Sequence, residues 1–195
     1  AHNLFLSVCS LILAIGTLTE VLKRIVREDS ALWLFCEDTT GQPVGALWFW
    51  SYLYYLSKYY ELLDSVLQLL KGRPPPFFTL NVYHHAVVML MAYFWLQSMQ
   101  SLQFIGLLFN TSVHVVMYYY YFRRVLGFPV PWKRFVTKFQ IMQFCFSAIC
   151  YMVTLALLAT GSNCAGKGPL VFNFVFNMTL LYQFFGVLGH RPKNT

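Results

Sequence analysis

Six stretches of roughly 20 mainly apolar residues, at about 3–22, 47–70, 78–96, 101–122, 135–159 and 170–189, match the length of helix that crosses a bilayer. The breaks between them fall where charge, Pro or Gly collects: KRIVRED near 23–29, KGRPPP at 71–76, QSMQS at 97–101, RRVLGFPVPWKR at 123–134 and GSNCAGKGP at 161–169. Lipid offers no water to an unpaired peptide group, so each stretch has to be a helix. Composition agrees. Hydrophobic residues make up 58% of the chain and charged residues only 11%, against roughly 25% charged in soluble domains. The pattern predicts an all-α integral membrane protein, a six-helix transmembrane bundle forming a single domain over residues 1–195, without internal repeats. The first stretch lacks a basic leader and a small-residue cleavage site, which makes it a span rather than a signal peptide. The chain opens at Ala1 without Met, so a leading piece is expected to be absent.

The basic residues set the expected orientation. With the N-terminal end in the cytosol, that side receives nine, namely Lys71, Arg73, Arg123, Arg124, Lys133, Arg134, Lys138, Arg191 and Lys193. The opposite side receives four, Lys23, Arg24, Arg27 and Lys167, and the positive-inside rule favours this arrangement. Both ends of the chain then face the cytosol. Topology accounts for the net charge of +7, and nothing in it points to nucleic acid. Cys9, Cys145 and Cys150 lie in spans, where a small buried hydrophobe is the ordinary role. Cys36 and Cys164 fall in two loops on the far side, where an oxidising lumen would pair them; two free thiols are the alternative.

Polar residues interrupt the spans in a pattern. Lys58, Glu61 and Asp64 sit three apart inside the second stretch, where a charge costs ~3 kcal/mol or more on insertion scales. At 100° per residue they spread over an arc of ~120° on one helix face. Asn81, His84 and His85 share a face of the third stretch, as do Asn110, His114, Met117, Tyr118 and Tyr121 on the fourth and Thr137, Gln140 and Gln143 on the fifth. Polar stripes in lipid face the bundle interior or a water-filled cavity. The simplest bundle aims all four at one internal site that opens to the cytosol.

Several chemistries fit such a set. Lys58 with Glu61 could be a structural ion pair, and Gln140, Thr137 and Asn110 could be interhelical hydrogen-bond glue. His84, His85 and His114 with Asp64 could ligate one zinc, although five histidines in the whole chain are too few for a di-iron oxidase. Buried charges also mark transport paths for anionic small molecules, but the chain lacks the matching broken spans. A neutral imidazole oriented by Asp64 or Glu61 can take an acyl group or a proton near neutral pH.

Four motifs in order then resemble the ELO family of very-long-chain fatty acid elongases, the condensing 3-ketoacyl-CoA synthases of the endoplasmic reticulum. The family's KxxExxDT box is met by Lys58, Glu61, Asp64 and Ser65, and its HxxHH box by NVYHH at 81–85. Its NxxxHxxMYxYY box is met by Asn110, His114, Met117, Tyr118, Tyr120 and Tyr121, and its TxxQxxQF box by Thr137, Gln140, Gln143 and Phe144. The likeness is close over 45–145 and looser elsewhere. Two positions depart from it, Asn81 for the first His of its box and Ser65 for Thr. The family fold has seven spans, so the resemblance also implies that one span before Ala1 is missing.

The resemblance implies a two-stage condensation in a multi-pass membrane protein of the endoplasmic reticulum, without a cofactor or metal. Its substrates would be acyl-CoA and malonyl-CoA and its product a 3-ketoacyl-CoA. His84 is then expected to carry the acyl group and His114 to position malonyl-CoA. His85, Asn81 and Asp64 would orient the imidazoles, with Lys58 and Glu61 completing the network. Tyr118, Asn110 and Gln143 would donate to the thioester oxygen. Arg73, Arg123, Arg124, Lys133, Arg134 and Lys138 would meet CoA phosphates, with Met117, Tyr121, Thr137 and Gln140 also contacting substrate. The acyl chain would occupy a slot closed near Trp95, Gln97 and Met99 or Phe172 to Phe176. Partners would be membrane lipids and the other enzymes of an elongation cycle, and the aromatic outer surface leaves room for a homodimer. An inactive, lipid-binding family member is the reading that Asn81 and the missing span keep open.

Overall fold

The computed structural model describes residues 1–70, 72 and 77–189, the side chain of Gln68 excepted. Six long helices follow in order: α1 His2–Glu28, α2 Ala46–Leu70, α3 Phe78–Gln97, α4 Gln103–Val125, α5 Lys133–Ala159 and α6 Lys167–Gly189. A short 3-10 turn, Leu32–Leu34, lies between the first two. α1, α5 and α6 are long and apolar enough to cross a membrane by length and composition, and the chain is a multi-pass membrane protein. Six such stretches were expected; α2, α3 and α4 match them in length but carry the charges, histidines and tyrosines that lower their mean hydropathy. Lys58, Glu61, His85, Asn110, His114 and Tyr118 are buried in the interior, while Phe49, Leu56, Leu63, Val82 and Leu90 stay exposed on the outside together with several tyrosines. That is the inside-out distribution of a helix between lipid and a polar interior.

The helices close into a ring in the order α1, α2, α3, α6, α5, α4, with α4 returning to α1. Cross-helix pairs set every neighbour antiparallel: His2 with Asp64, Ser65 with Asn81, Tyr83 with Thr179, Asn177 with Ser147, Gln140 with Met117 and Ser7 with Val115. Gly16 lets α1 approach α2, because a Cβ there would collide with the Trp50 indole. Tyr54, Val88, Met91, Trp95, Leu107, Phe144, Phe176 and Leu180 form the main apolar core inside the ring.

α1 runs past the expected end at 22 through the whole KRIVRE cluster, because its charges pair along and beyond the helix. Lys23 meets Glu20 at 2.7 Å and Arg24 meets Glu28 at 2.8 Å, at i,i+3 and i,i+4 spacing. Arg24 also forks onto both Glu37 oxygens at 2.7 Å and lies 4.0 Å over the Trp33 ring. The helix ends at Asp29 in the left-handed region, which Asp tolerates better than most residues.

Three loops knit together at this end of the ring. Cys36 and Cys164 form a disulfide. Ser101 Oγ accepts from Glu37 N–H at 2.9 Å and donates to the Ala165 carbonyl at 3.1 Å, and Leu34 carbonyl accepts from Leu102 N–H at 3.1 Å. That bond holds Leu102 at φ 72, a conformation unusual for a branched side chain. Gly166, at φ 72, brings its Cα so near Gln100 that a Cβ would lie 2.7 Å from the Gln100 Cα. The α3–α4 connection is thereby clamped from two sides.

Candidate active site

On α2 the inward face repeats every three or four residues as Ser51, Tyr54, Lys58, Glu61 and Ser65, all of them buried. Lys58 is 1% exposed and Glu61 3%, and they pair at 2.8 Å. A buried charge pair holds only when its remaining bonding capacity is also met. Here it is. Lys58 Nζ donates to both Glu61 oxygens, at 2.8 and 3.0 Å, and to Asn110 Oδ1 at 3.0 Å. It lies 4.2 Å over the Tyr54 ring, and the Tyr54 hydroxyl donates to the same Asn110 oxygen at 2.9 Å. With Oδ1 occupied twice, the amide nitrogen of Asn110 is left as a donor of fixed direction.

α4 brings His114 and Tyr118 to the same interior. His114 Nδ1 is 3.4 Å from Glu61 Oε1 without the alignment of a hydrogen bond, so their interaction is electrostatic. Tyr118 sets its ring edge-on to His114, with centroids 5.4 Å apart, and donates to Asp64 Oδ2 at 2.9 Å. On α3, His84 lies edge-on to His85 at 5.3 Å and face-on to Phe176 at 6.3 Å. The Nδ1 atoms of both histidines are buried without a hydrogen-bond partner. No hydrogen bond or ring contact joins His84 to His114 among the described residues. Nor do three His, Cys, Asp or Glu side chains there come together as a metal ion would need.

A small, narrow slot lies inside the ring, its wall reaching from this polar group toward the disulfide end. His84, Asn110 and Gln143 line it, followed by Val88, Met91, Phe109, Phe144 and Phe146, with Trp95, Leu102, Ile105 and Cys150 further on. Of His2, His84, His85 and His114, only His84 lines the slot. Ser147, Asn173 and Asn177 also reach its wall, linked by Asn177 Nδ2 donating to Ser147 Oγ at 2.9 Å and to Asn173 Oδ1 at 3.5 Å. Trp95 lines the slot beyond Met91, whereas Gln97 and Met99 do not. A Cβ on Gly106 would touch the Trp95 ring at 2.9 Å, so glycine is what admits that indole.

Other expected site residues lie further out. Asn81 accepts from Ser65 Oγ rather than from either imidazole. Thr137 is buried, and Gln140 donates to Met117 Sδ at 3.5 Å. Tyr121, expected on the interior stripe, is 41% exposed, while Tyr120 is 4% exposed and packs edge-on to Trp132 at 5.3 Å. The turn into α5 covers Tyr120 and leaves Tyr121 exposed. Arg124, Lys133, Arg134 and Lys138 are exposed at that end, and Arg123 is half-buried with its guanidinium 5.1 Å over the Phe128 ring. Arg73 lies outside the described residues. Sequence reasoning missed Tyr54, although its i−4 spacing from Lys58 puts it on the charged face. It also missed the Ser147, Asn173 and Asn177 group and His2, whose Nε2 is 2.6 Å from Asp64 Oδ1.

A sequence model of the ELO: GNS1/SUR4 family matches residues 1–189. A Dictyostelium discoideum protein provisionally named a fatty acid elongase is 38% identical over 198 residues, covering 100% of this chain and 66% of the relative. Fatty acid elongase sre1 of the same organism is 36% identical over 144 residues, 73% of this chain and 53% of the relative. Fatty acid elongase 4 of Trypanosoma brucei brucei is 33% identical over 149 residues, 75% and 58%. The chain thus spans between about half and two thirds of the length of these curated relatives.

Proposed function

Because the chain belongs to the ELO (GNS1/SUR4) family of fatty acid elongases, we propose that it carries the condensing centre of an elongase acting on acyl-CoA and malonyl-CoA. The observation that carries the reading is His84: among the described histidines it alone lines the mainly apolar slot, and Asn110 and Gln143 line the same slot.

A ring nitrogen of neutral His84 attacks the acyl thioester carbonyl, the C–S bond breaks, and the CoA thiolate leaves with the imidazole proton. Asn110, its oxygen engaged by Lys58 and Tyr54, offers its amide N–H to the oxyanion, and Gln143 is the second donor. Malonyl-CoA then loses CO2 by C–C cleavage, and the enolate carbon attacks the acyl-imidazole carbonyl. The C–N bond breaks, His84 recovers a proton from water, and a 3-ketoacyl-CoA two carbons longer departs. His114, beside Glu61 and Tyr118, is the group that positions the malonyl thioester. The acyl chain lies in the slot toward Trp95. Arg123, Arg124, Lys133, Arg134 and Lys138 at the mouth suit CoA phosphates.

The same reading sets the mouth and the N-terminal end in the cytosol, with the Cys36–Cys164 end in the lumen of the endoplasmic reticulum. A disulfide at that end suits an oxidising compartment. The test is direct. Membranes containing the full-length protein are incubated with labelled malonyl-CoA and a panel of acyl-CoAs. The expected result is a two-carbon-extended product that His84→Ala abolishes; an active His84→Ala variant would remove the acyl-histidine step.

A further inference from the structure

His2 opens α1, a helix that contributes nothing to the four polar stripes. The helix is nonetheless delivered to the site firmly. Ser7 Oγ donates to the Val115 carbonyl at 2.9 Å, and Gly16 lets the backbone close on Trp50. This places His2 Nε2 at 2.6 Å from Asp64 Oδ1, with Nδ1 3.4 Å from the Tyr60 hydroxyl and the two rings 5.6 Å apart. The second Asp64 oxygen accepts from Tyr118 at 2.9 Å. Asp64 is therefore gripped from opposite sides, by α1 and by α4. Its side chain is 16% exposed and that of His2 27%, so the pair sits between the buried polar group and the outside. Tyr118, 2% exposed, has Asp64 as its only acceptor among the described residues and rests edge-on against His114.

We propose that His2 is a positioning residue of the reaction centre: donating from Nε2, it fixes Asp64 in the rotamer that also anchors Tyr118, and through Tyr118 it sets the ring of His114. Without His2, one carboxylate oxygen loses its partner and Asp64 is free to turn toward water at the mouth. Tyr118 would follow it or be left with a buried hydroxyl and no acceptor, and either outcome frees the His114 ring. The proposal rests on the elongase reading and extends the site to α1.

The experiment uses full-length protein and compares His2→Leu, His2→Gln, Asp64→Asn and the double His2→Leu/Asp64→Asn variant in steady-state elongation. His2→Leu is expected to lower kcat about tenfold to a hundredfold, the range set by one hydrogen bond to a charged group. The acyl-CoA KM stays within about threefold, since the change acts on the reacting groups rather than on chain binding. Gln carries an N–H at similar reach and should restore most of the rate. Adding His2→Leu to Asp64→Asn should change kcat by less than about twofold, because residues acting through one another are not additive. Wild-type kcat in His2→Leu, or penalties that multiply in the double variant, would overturn the proposal. Should His2→Leu fail to fold, His2→Gln is compared with His2→Asn, whose shorter arm cannot reach Asp64; equal rates would also overturn it. A wild-type protein that extends no acyl-CoA would instead sink the elongase reading, so the two failures are told apart.

Discussion

Ser65 on α2 donates a hydrogen bond to Asn81 Oδ1 on α3, at 2.5 Å. These are the two positions at which the chain departs from the motifs it otherwise follows, Ser for Thr and Asn for His, and they meet each other. Position 81 thus stitches two antiparallel helices together, and the imidazoles of His84 and His85 are left to their own contacts with each other and with Phe176. An Asn there is compatible with chemistry at His84, because what the position supplies is an acceptor for Ser65.

Removing either partner should therefore act on stability more than on turnover. Ser65→Ala and Asn81→Ala should each lower the thermal midpoint of the detergent-solubilised protein, with a coupling of about 0.5–1.5 kcal/mol in the double-mutant cycle, the net value of one hydrogen bond. Asn81→His, whose ring can accept the same bond, should keep both midpoint and rate. Additive losses in the cycle would show that the pair is not coupled.

Asn110 is held by two donors at one oxygen, Lys58 Nζ and Tyr54 OH. The direction of its amide N–H is thus set before substrate arrives. Replacing it by Leu of similar size should lower kcat about 10²- to 10³-fold, as loss of an oxyanion donor does, with KM for acyl-CoA little changed. Asn110→Asp removes the donor and adds a charge, and it should be no better. Steady-state kinetics over a range of acyl-CoA concentrations separates the two parameters.

Lys58 and Glu61 test whether charge or shape holds the polar interior. Lys58→Met leaves Glu61 buried without its main partner and should cost about 3–5 kcal/mol of stability. Replacing both, as Lys58→Met with Glu61→Leu, removes the uncompensated charge. It should recover much of the thermal midpoint while elongation stays lost, because Asn110 and His114 both lean on the pair. Midpoints and rates measured on the same preparations decide it. A double variant as unstable as the single would mean that packing, not charge, is at stake.

How far the sequence reaches differs from part to part of this molecule. Helix count and rough boundaries were legible because a bilayer imposes one length on every apolar run. The end of α1 was not, because KRIVRED reads as a break until Arg24 is seen bridging to Glu28 and Glu37. Polar stripes on α2 to α5 were legible from 3.6-residue periodicity, and the ring does bring Lys58, Glu61, Asn110 and His114 together. Ring order is a property of tertiary packing, and with it comes the contact of His2 with Asp64, which no local pattern announces. Tyr121 leaves its expected place on the interior stripe for the same reason: the turn at Trp132 covers Tyr120 instead. Asn173 and Asn177 look like isolated amides in an apolar helix until Ser147 is placed opposite.

The far stretch of the slot offers the last test. Trp95 stacks on Tyr54 with centroids 5.5 Å apart, and its indole N–H is buried without a partner. The ring is therefore held by packing rather than by a hydrogen bond. Trp95→Ala removes the largest side chain on that stretch of the wall and lengthens the slot beyond Met91. The product profile should shift toward longer chains by at least one two-carbon cycle, with the rate on shorter acyl-CoAs retained. Gly106→Ala should act in the opposite sense, since its methyl group would press the indole at 2.9 Å and drive it into the slot. Gas chromatography of the products from a single starting acyl-CoA reads both shifts. Unchanged chain length in both variants would place the limit of the slot elsewhere, at Leu102 or Cys150.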